Sequence, residues 1–160
     1  WLVALISDTG MRLGEAAGLL KEDVVTDGPH PHIVLKPHPW RRLKTRGSER
    51  VIPLVGASLW AAKRACTASA TAFLFPRYCT QNDCKANSAS GALNKWLAPR
   101  VPTGCVIHSF RHSLRDRLRA VECPADIADR LGGWQVEGIG EGYGQGYPLE
   151  VLHRWMRQIG

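Results

Sequence analysis

Four residues set the chemistry to be explained. His108, Arg111, His112 and Arg115 fall at i, i+3, i+4 and i+7 of a helical repeat, so they share one side of a helix. Stacking four cationic or potentially cationic side chains is unfavourable unless an anion sits among them. The start of such a helix adds free N–H groups and a partial positive charge. A phosphate is the natural occupant. Taken alone, the same four residues are also what a solvated basic face looks like.

Three further groups bear on the choice. Thr9-Gly10-Met11-Arg12-Leu13-Gly14-Glu15 puts Arg12 at a turn-to-helix junction, with an acid three residues on that could orient its guanidinium. Lys44-Thr45-Arg46-Gly47-Ser48-Glu49-Arg50 precedes a strand, as a β-hairpin tip would. Gly132-Gly133-Trp134 is followed nine residues later by Tyr143, amid Gly138, Gly140, Gly142, Gly144 and Gly146. Glycine adds backbone freedom there, which suits a nucleophile that must move.

Together these motifs resemble the tyrosine recombinases, specifically the phage-type integrases. The resemblance rests on Arg12 in TGMRLGE, Lys44 ahead of ERVIPL, His108 and Arg111 in HSFRH, Trp134 in LGGW and Tyr143 in EGYGQGY. It runs in the family's order over nearly all 160 residues. It implies that residues 1–160 are a single C-terminal catalytic domain, a piece lacking the family's N-terminal DNA-binding domains.

The resemblance also implies an activity: site-specific DNA recombination or integration by strand cleavage and rejoining, in an element of phage or prophage origin. Tyr143 would attack a phosphodiester, expel a 5′-hydroxyl and leave a 3′-phosphotyrosine. Arg12 and Arg111 would hold the non-bridging oxygens, His108 would transfer a proton and Lys44 would protonate the leaving group. Trp134 stands where many members have His; it can pack and donate one N–H but cannot titrate. No cofactor and no metal is implied. The implied partners are double-stranded DNA and further copies of the chain: a tetramer on DNA, mostly a monomer when free, in the cytoplasm of a bacterial host.

The residue types suit these roles. A phenol needs help losing its proton at neutral pH, imidazole titrates in the right range, and arginine forks match a phosphate. Alternatives stay open at this stage. Tyr147 rivals Tyr143, Lys36 rivals Lys44, and His112 is as readily structural as catalytic. A type IB topoisomerase would share the chemistry. A catalytically inactive DNA-binding module or a helix-turn-helix regulator would leave several of the motifs unexplained.

The elements that must position these groups are legible from periodicity. Residues 1–8 read as the end of a buried helix, and Leu13, Ala16, Ala17 and Leu20 as an amphipathic one. Val24-Val25, Ile33–Leu35 and Val51–Leu54 read as strands. Helices are expected over 57–70, about 85–98, from His108 to before Pro124, and from Pro124 to Leu131. Leu149, Leu152, Trp155, Met156 and Ile159 form the stripe of a closing helix, expected to dock on a neighbouring protomer in the assembly on DNA, with docking on its own domain as the alternative. The fold expected is α+β, mostly α, with a small three-stranded antiparallel sheet in the N-terminal third.

Composition agrees with a globular domain: 44% of residues are hydrophobic and 22% charged. The net charge of +7 points to a polyanionic partner. No apolar run reaches the roughly 18 residues of a membrane span. Cys66, Cys79, Cys84, Cys105 and Cys123 are odd in number and irregular in spacing, so reduced thiols are expected. A zinc site of Cys79, Cys84, His108 and His112 is disfavoured by the 23 residues between the pairs. His30, His32 and His38 read as surface or DNA-backbone contacts, and Trp40, Trp60 and Trp96 as packing residues.

Overall fold

The structure is a computed structural model that describes residues 1–45, 48–134 and 146–160. Helix α1 (Leu2–Thr9) buries Leu2, Leu5 and Ile6, one face of a 3.6-residue repeat. It ends at Gly10, which is left-handed (φ 58°) and returns its N–H to the Ile6 carbonyl at 2.9 Å. Helix α2 (Leu13–Ala17) is shorter than its apolar pattern suggests. The expected continuation to Leu20 fails at Gly18, beyond which the chain turns away. Leu20 instead bridges Phe73, and its N–H is taken by Asp23 Oδ2 at 3.0 Å in a 3-10 turn, Lys21–Asp23.

Strands β1 (Val24–Val25), β2 (His32–Leu35) and β3 (Arg50–Pro53) form the antiparallel sheet, in the order β1-β2-β3. The last two strands each begin one residue before their β-branched run. Alternation sets the register: Ile33 lies opposite Ile52, both fully buried, while Val34 faces out. The long connection from β2 to β3 is pinned by Arg41. Its buried guanidinium donates to Asp23 Oδ2 at 3.1 Å and to the Lys36 carbonyl at 2.7 Å. This fixes the base of the segment that carries Lys44.

Helices α3 (Gly56–Ala68), α4 (Ala86–Leu97), α5 (Ser109–Ala120), α6 (Ala125–Gly132) and α7 (Leu149–Met156) complete the described elements. Ala61, Ala62 and Ala65 let α3 pack closely on α1. A second apolar cluster joins Val55, Leu114, Leu118, Ile127, Ala128 and Leu131 to Leu152 and Met156 of α7. The α+β expectation therefore holds: the chain is mostly helical with one small three-stranded sheet.

In the single chain the closing helix packs on its own domain, where α5, α6 and β3 offer a matching apolar surface. Two expectations are corrected. Cys79 and Cys84 are not reduced thiols: they face each other across a tight turn, closed by Thr80 N–H donating to the Asp83 carbonyl at 2.8 Å, and their sulfurs are bonded. Cys66, Cys105 and Cys123 are free. Trp60 and Trp96 are exposed by about half, whereas Trp40 is half-buried and donates to the Gly18 carbonyl at 3.1 Å. Among the described residues, no helix is long and apolar enough to cross a membrane.

Candidate active site

Arg12 caps α2 from an extended backbone (φ −66°, ψ 146°), so its side chain leaves the helix start rather than the helix face. Its Nη1 donates to Glu15 Oε1 at 2.7 Å and to Ser48 Oγ at 3.0 Å, and its N–H to Glu15 Oε2 at 3.0 Å. The acid three residues on thus orients the guanidinium, as the spacing suggests. Glu15 is itself buried and takes a second cation, Arg50 Nη2, at 3.2 Å. Burial alone would raise the Glu15 carboxyl. The Arg50 charge and the bonds and charge of Arg12 outweigh it and hold the group below its ordinary range.

In the sequence Arg50 is only the last residue of the segment that precedes the third strand. In the fold it is buried at the start of β3. It donates Nε to the Leu131 carbonyl at 3.0 Å and Nη1 to the Ser48 carbonyl at 2.7 Å. Ser48 is equally unforeseen. Its N–H is taken by the Thr45 carbonyl at 3.0 Å, and its hydroxyl meets both Arg12 and Thr45. The turn beside Lys44 is therefore tied to Arg12. Lys44 is exposed.

Arg111 comes from α5 and is buried rather than displayed on a solvated face. Its Nη1 donates to the Gly10 carbonyl at 2.9 Å and its Nη2 to the Gly133 carbonyl at 3.4 Å. Burial, then the charges of Arg12 and Arg50, lower its pKa to about 10, so it stays a cation at neutral pH. His108 caps the same helix, exposed, with the His112 ring edge-on at 5.4 Å. Its pKa is lowered by burial first, then by His112, Arg111, Arg12 and Lys44. Four charged or chargeable groups from three separate stretches of chain thus act on one imidazole.

Trp134 follows α6. Its indole lies beneath two guanidiniums, Arg111 at 4.9 Å and Arg115 at 4.8 Å from the ring centroid. A glycine at 132 is required, since a Cβ there would meet the Trp134 ring at 2.1 Å. Of the residues singled out in the sequence, Arg111 lies over Trp134, and the charges of Arg111, Arg12 and Lys44 reach His108; Tyr143 lies outside the described residues. Tyr147 donates its hydroxyl to Asp126 at the start of α6. Among the histidines expected to lie on the surface or against DNA, His38 stacks on Trp40 and pairs with Asp23 at 3.2 Å, and His30 lies edge-on to His153.

A helical domain with one small antiparallel sheet, gathering arginines from α2, β3 and α5, has the fold of a tyrosine recombinase catalytic domain. The chain matches the phage integrase family over residues 1–144 and belongs to that family. At family level this makes it a site-specific recombinase, a protein that binds DNA, breaks it and rejoins it. No curated protein and no solved structure matches the chain.

Proposed function

We propose that this domain exchanges DNA strands through a 3′-phosphotyrosine formed on Tyr143. The supporting observation is that the charges of Arg111, Arg12 and Lys44 all reach His108, while Arg111 lies over the Trp134 ring. Tyr143 Oη attacks the phosphorus, and the bond from phosphorus to the 5′-oxygen breaks. His108, its pKa lowered by burial and then by its cationic neighbours, takes the phenol proton. Lys44 gives a proton to the departing 5′-oxygen. Arg12 and Arg111 receive the charge that gathers on the non-bridging oxygens. A 5′-hydroxyl of another strand then reverses the step, so one phosphodiester replaces another and no energy source is consumed.

Tyr147 is the poorer nucleophile in this reading because its hydroxyl is engaged by Asp126. The net charge of +7 favours the DNA backbone as ligand. The active assembly is a tetramer on DNA, with the free domain mostly monomeric, in the cytoplasm of a bacterial host.

The test is covalent capture. The protein is incubated in excess EDTA with a pool of nicked duplexes of randomised sequence, and denaturant-resistant complexes are recovered and sequenced. A recurrent site joined through Tyr143 is expected. A pool yielding no adduct sinks the proposal, as does an adduct that requires added Mg²⁺.

A further inference from the structure

We infer that Arg115 and Asp129 are positioning residues that clamp the Trp134 indole beside Arg111. The inference rests on the proposed roles of Trp134 and Arg111 at the reacting phosphodiester, and extends them to two residues that do not touch it.

Arg115 lies one helical turn beyond Arg111 on α5, so both guanidiniums reach the same neighbour. That neighbour is Trp134, with the two cations at nearly equal distance from its ring, 4.9 and 4.8 Å. A long arginine on a helix surface has many conformers to choose from. Arg115 is drawn to Asp129 of α6, whose Oδ1 lies 2.9 Å from its Nη1, an ion pair without hydrogen-bond alignment. Asp129 acts a second time through its backbone. Its carbonyl accepts the Trp134 N–H at 3.0 Å. One residue thus sets both the backbone from which the indole hangs and the cation that covers it.

Part of the boundary is bare backbone. A Cβ at Gly132 would meet Trp134 Cε3 at 2.1 Å, so the ring lies against the last turn of α6. Among the described residues the indole meets α6, the second apolar cluster and two guanidiniums, and of these two cations Arg111 belongs to the proposed machinery.

Arg111 has a firm bond and a loose one, 2.9 Å to Gly10 and 3.4 Å to Gly133. The loosely held end is limited by what packs against it, and Trp134 is what packs there. Loss of Arg115 or of the Asp129 carboxylate frees the indole and, through it, the Arg111 fork. A misplacement of about 1 Å can cost on the order of a hundredfold in rate. The plain alternative is an ion pair between α5 and α6 that only holds two helices together.

Two measurements separate these. The first is fluorine NMR of protein labelled with 5-fluorotryptophan, with the Trp134 resonance assigned through Trp134→Phe. The second is single-turnover adduct formation on a nicked duplex recovered from the randomised pool. Arg115→Leu and Asp129→Asn are expected to move and broaden the Trp134 resonance. Both should slow adduct formation at saturating duplex by about 10- to 100-fold, while half-saturation changes by less than about threefold. Arg115→Lys, which keeps a cation over the ring and the pairing with Asp129, is expected to restore most of the rate. An unmoved resonance overturns the clamp. So does a rate loss that Arg115→Lys fails to recover, or one that merely follows a fall in melting temperature. If the wild-type protein captures no duplex but the resonance moves as expected, the recombination reading falls and the clamp stands.

Discussion

Arg111 donates Nη1 to the carbonyl of Gly10 at 2.9 Å, joining α5 to the end of α1 across 101 residues. Gly10 can present that carbonyl because it has no side chain. Its φ is +58°, and a Cβ there would come within 2.5 Å of Leu114 Cδ2. Gly10→Ala must both enter the left-handed region and push Leu114, so it should destabilise the domain by about 1–3 kcal/mol. Urea unfolding measures this. A Gly10→Ala protein as stable as the parent would show that neither constraint operates.

Arg12 offers the cleaner test of an arginine at the phosphate, since it is partly exposed and its removal leaves Glu15 paired with Arg50. Arg12→Ala should fold. Losing one donor to transition-state charge typically costs about 10²–10³ in rate. Covalent capture should fall by that much, with duplex affinity in gel-shift titrations falling far less. Cleavage near the parental rate would place Arg12 outside the site.

The tyrosines separate by a single atom. Tyr143→Phe keeps the ring and removes the hydroxyl, and should abolish the covalent adduct while duplex binding persists. Tyr147→Phe should retain the adduct while losing its bond to Asp126. Peptide mapping of the adduct reads the outcome, and DNA found on Tyr147 would reverse the assignment.

Acid should weaken the fold in two stages. His108 and His153 both have pKa values below the ordinary 6.5. Burial is the largest cause for each, with His112 next for His108 and His30 next for His153. The unfolded chain therefore binds protons more readily, and stability falls as pH drops below about 6.5. Glu15 lies below its ordinary 4.5, so its contribution is present above that value and is lost as pH falls through the folded value. Urea midpoints between pH 8 and 3 should decline in both ranges. The rate should have its own acid limb below 6.5, because a protonated His108 cannot take the phenol proton. Stability that rises on acidification would contradict the assignment.

The closing helix belongs to the core of its own domain. Leu152 is buried against the cluster of Leu114, Leu118 and Leu131. Leu152→Ala should cost about 2–5 kcal/mol, seen as a lower melting temperature of the free chain. An unchanged melting temperature would favour docking on a neighbour after all.

Much of this was legible in the sequence because periodicity reports burial. Leu5 and Ile6, Leu114 and Leu118, and Ile33 and Leu35 sit where the 3.6- and 2-residue repeats put them. Leu20 did not, since Gly18 ends α2 and no repeat foretells that. The motif residues pointed to a phosphate, but not to how each is held. Arg111 reads as part of an exposed basic face, yet two carbonyls brought in from Gly10 and Gly133 let it be buried. Arg50 looks like any surface cation until its partners, Glu15 and Leu131, arrive from distant stretches of chain. Cysteine count says nothing of the bond between Cys79 and Cys84, which depends on the tight turn that brings the two together.

Arg50 has one further consequence, for the order of events as the chain folds. Its side chain bonds to Glu15, 35 positions earlier, and to the Leu131 carbonyl, 81 positions later. Loops of that length must close before either bond can repay its cost, so contacts of this kind slow folding. During synthesis, β3 and α2 can pair while α6 is still unmade, leaving the Arg50 Nε without its acceptor. The electropositive site is therefore completed only after the chain through Leu131 has been made, and a nascent chain halted before Leu131 should carry the motif without the pocket.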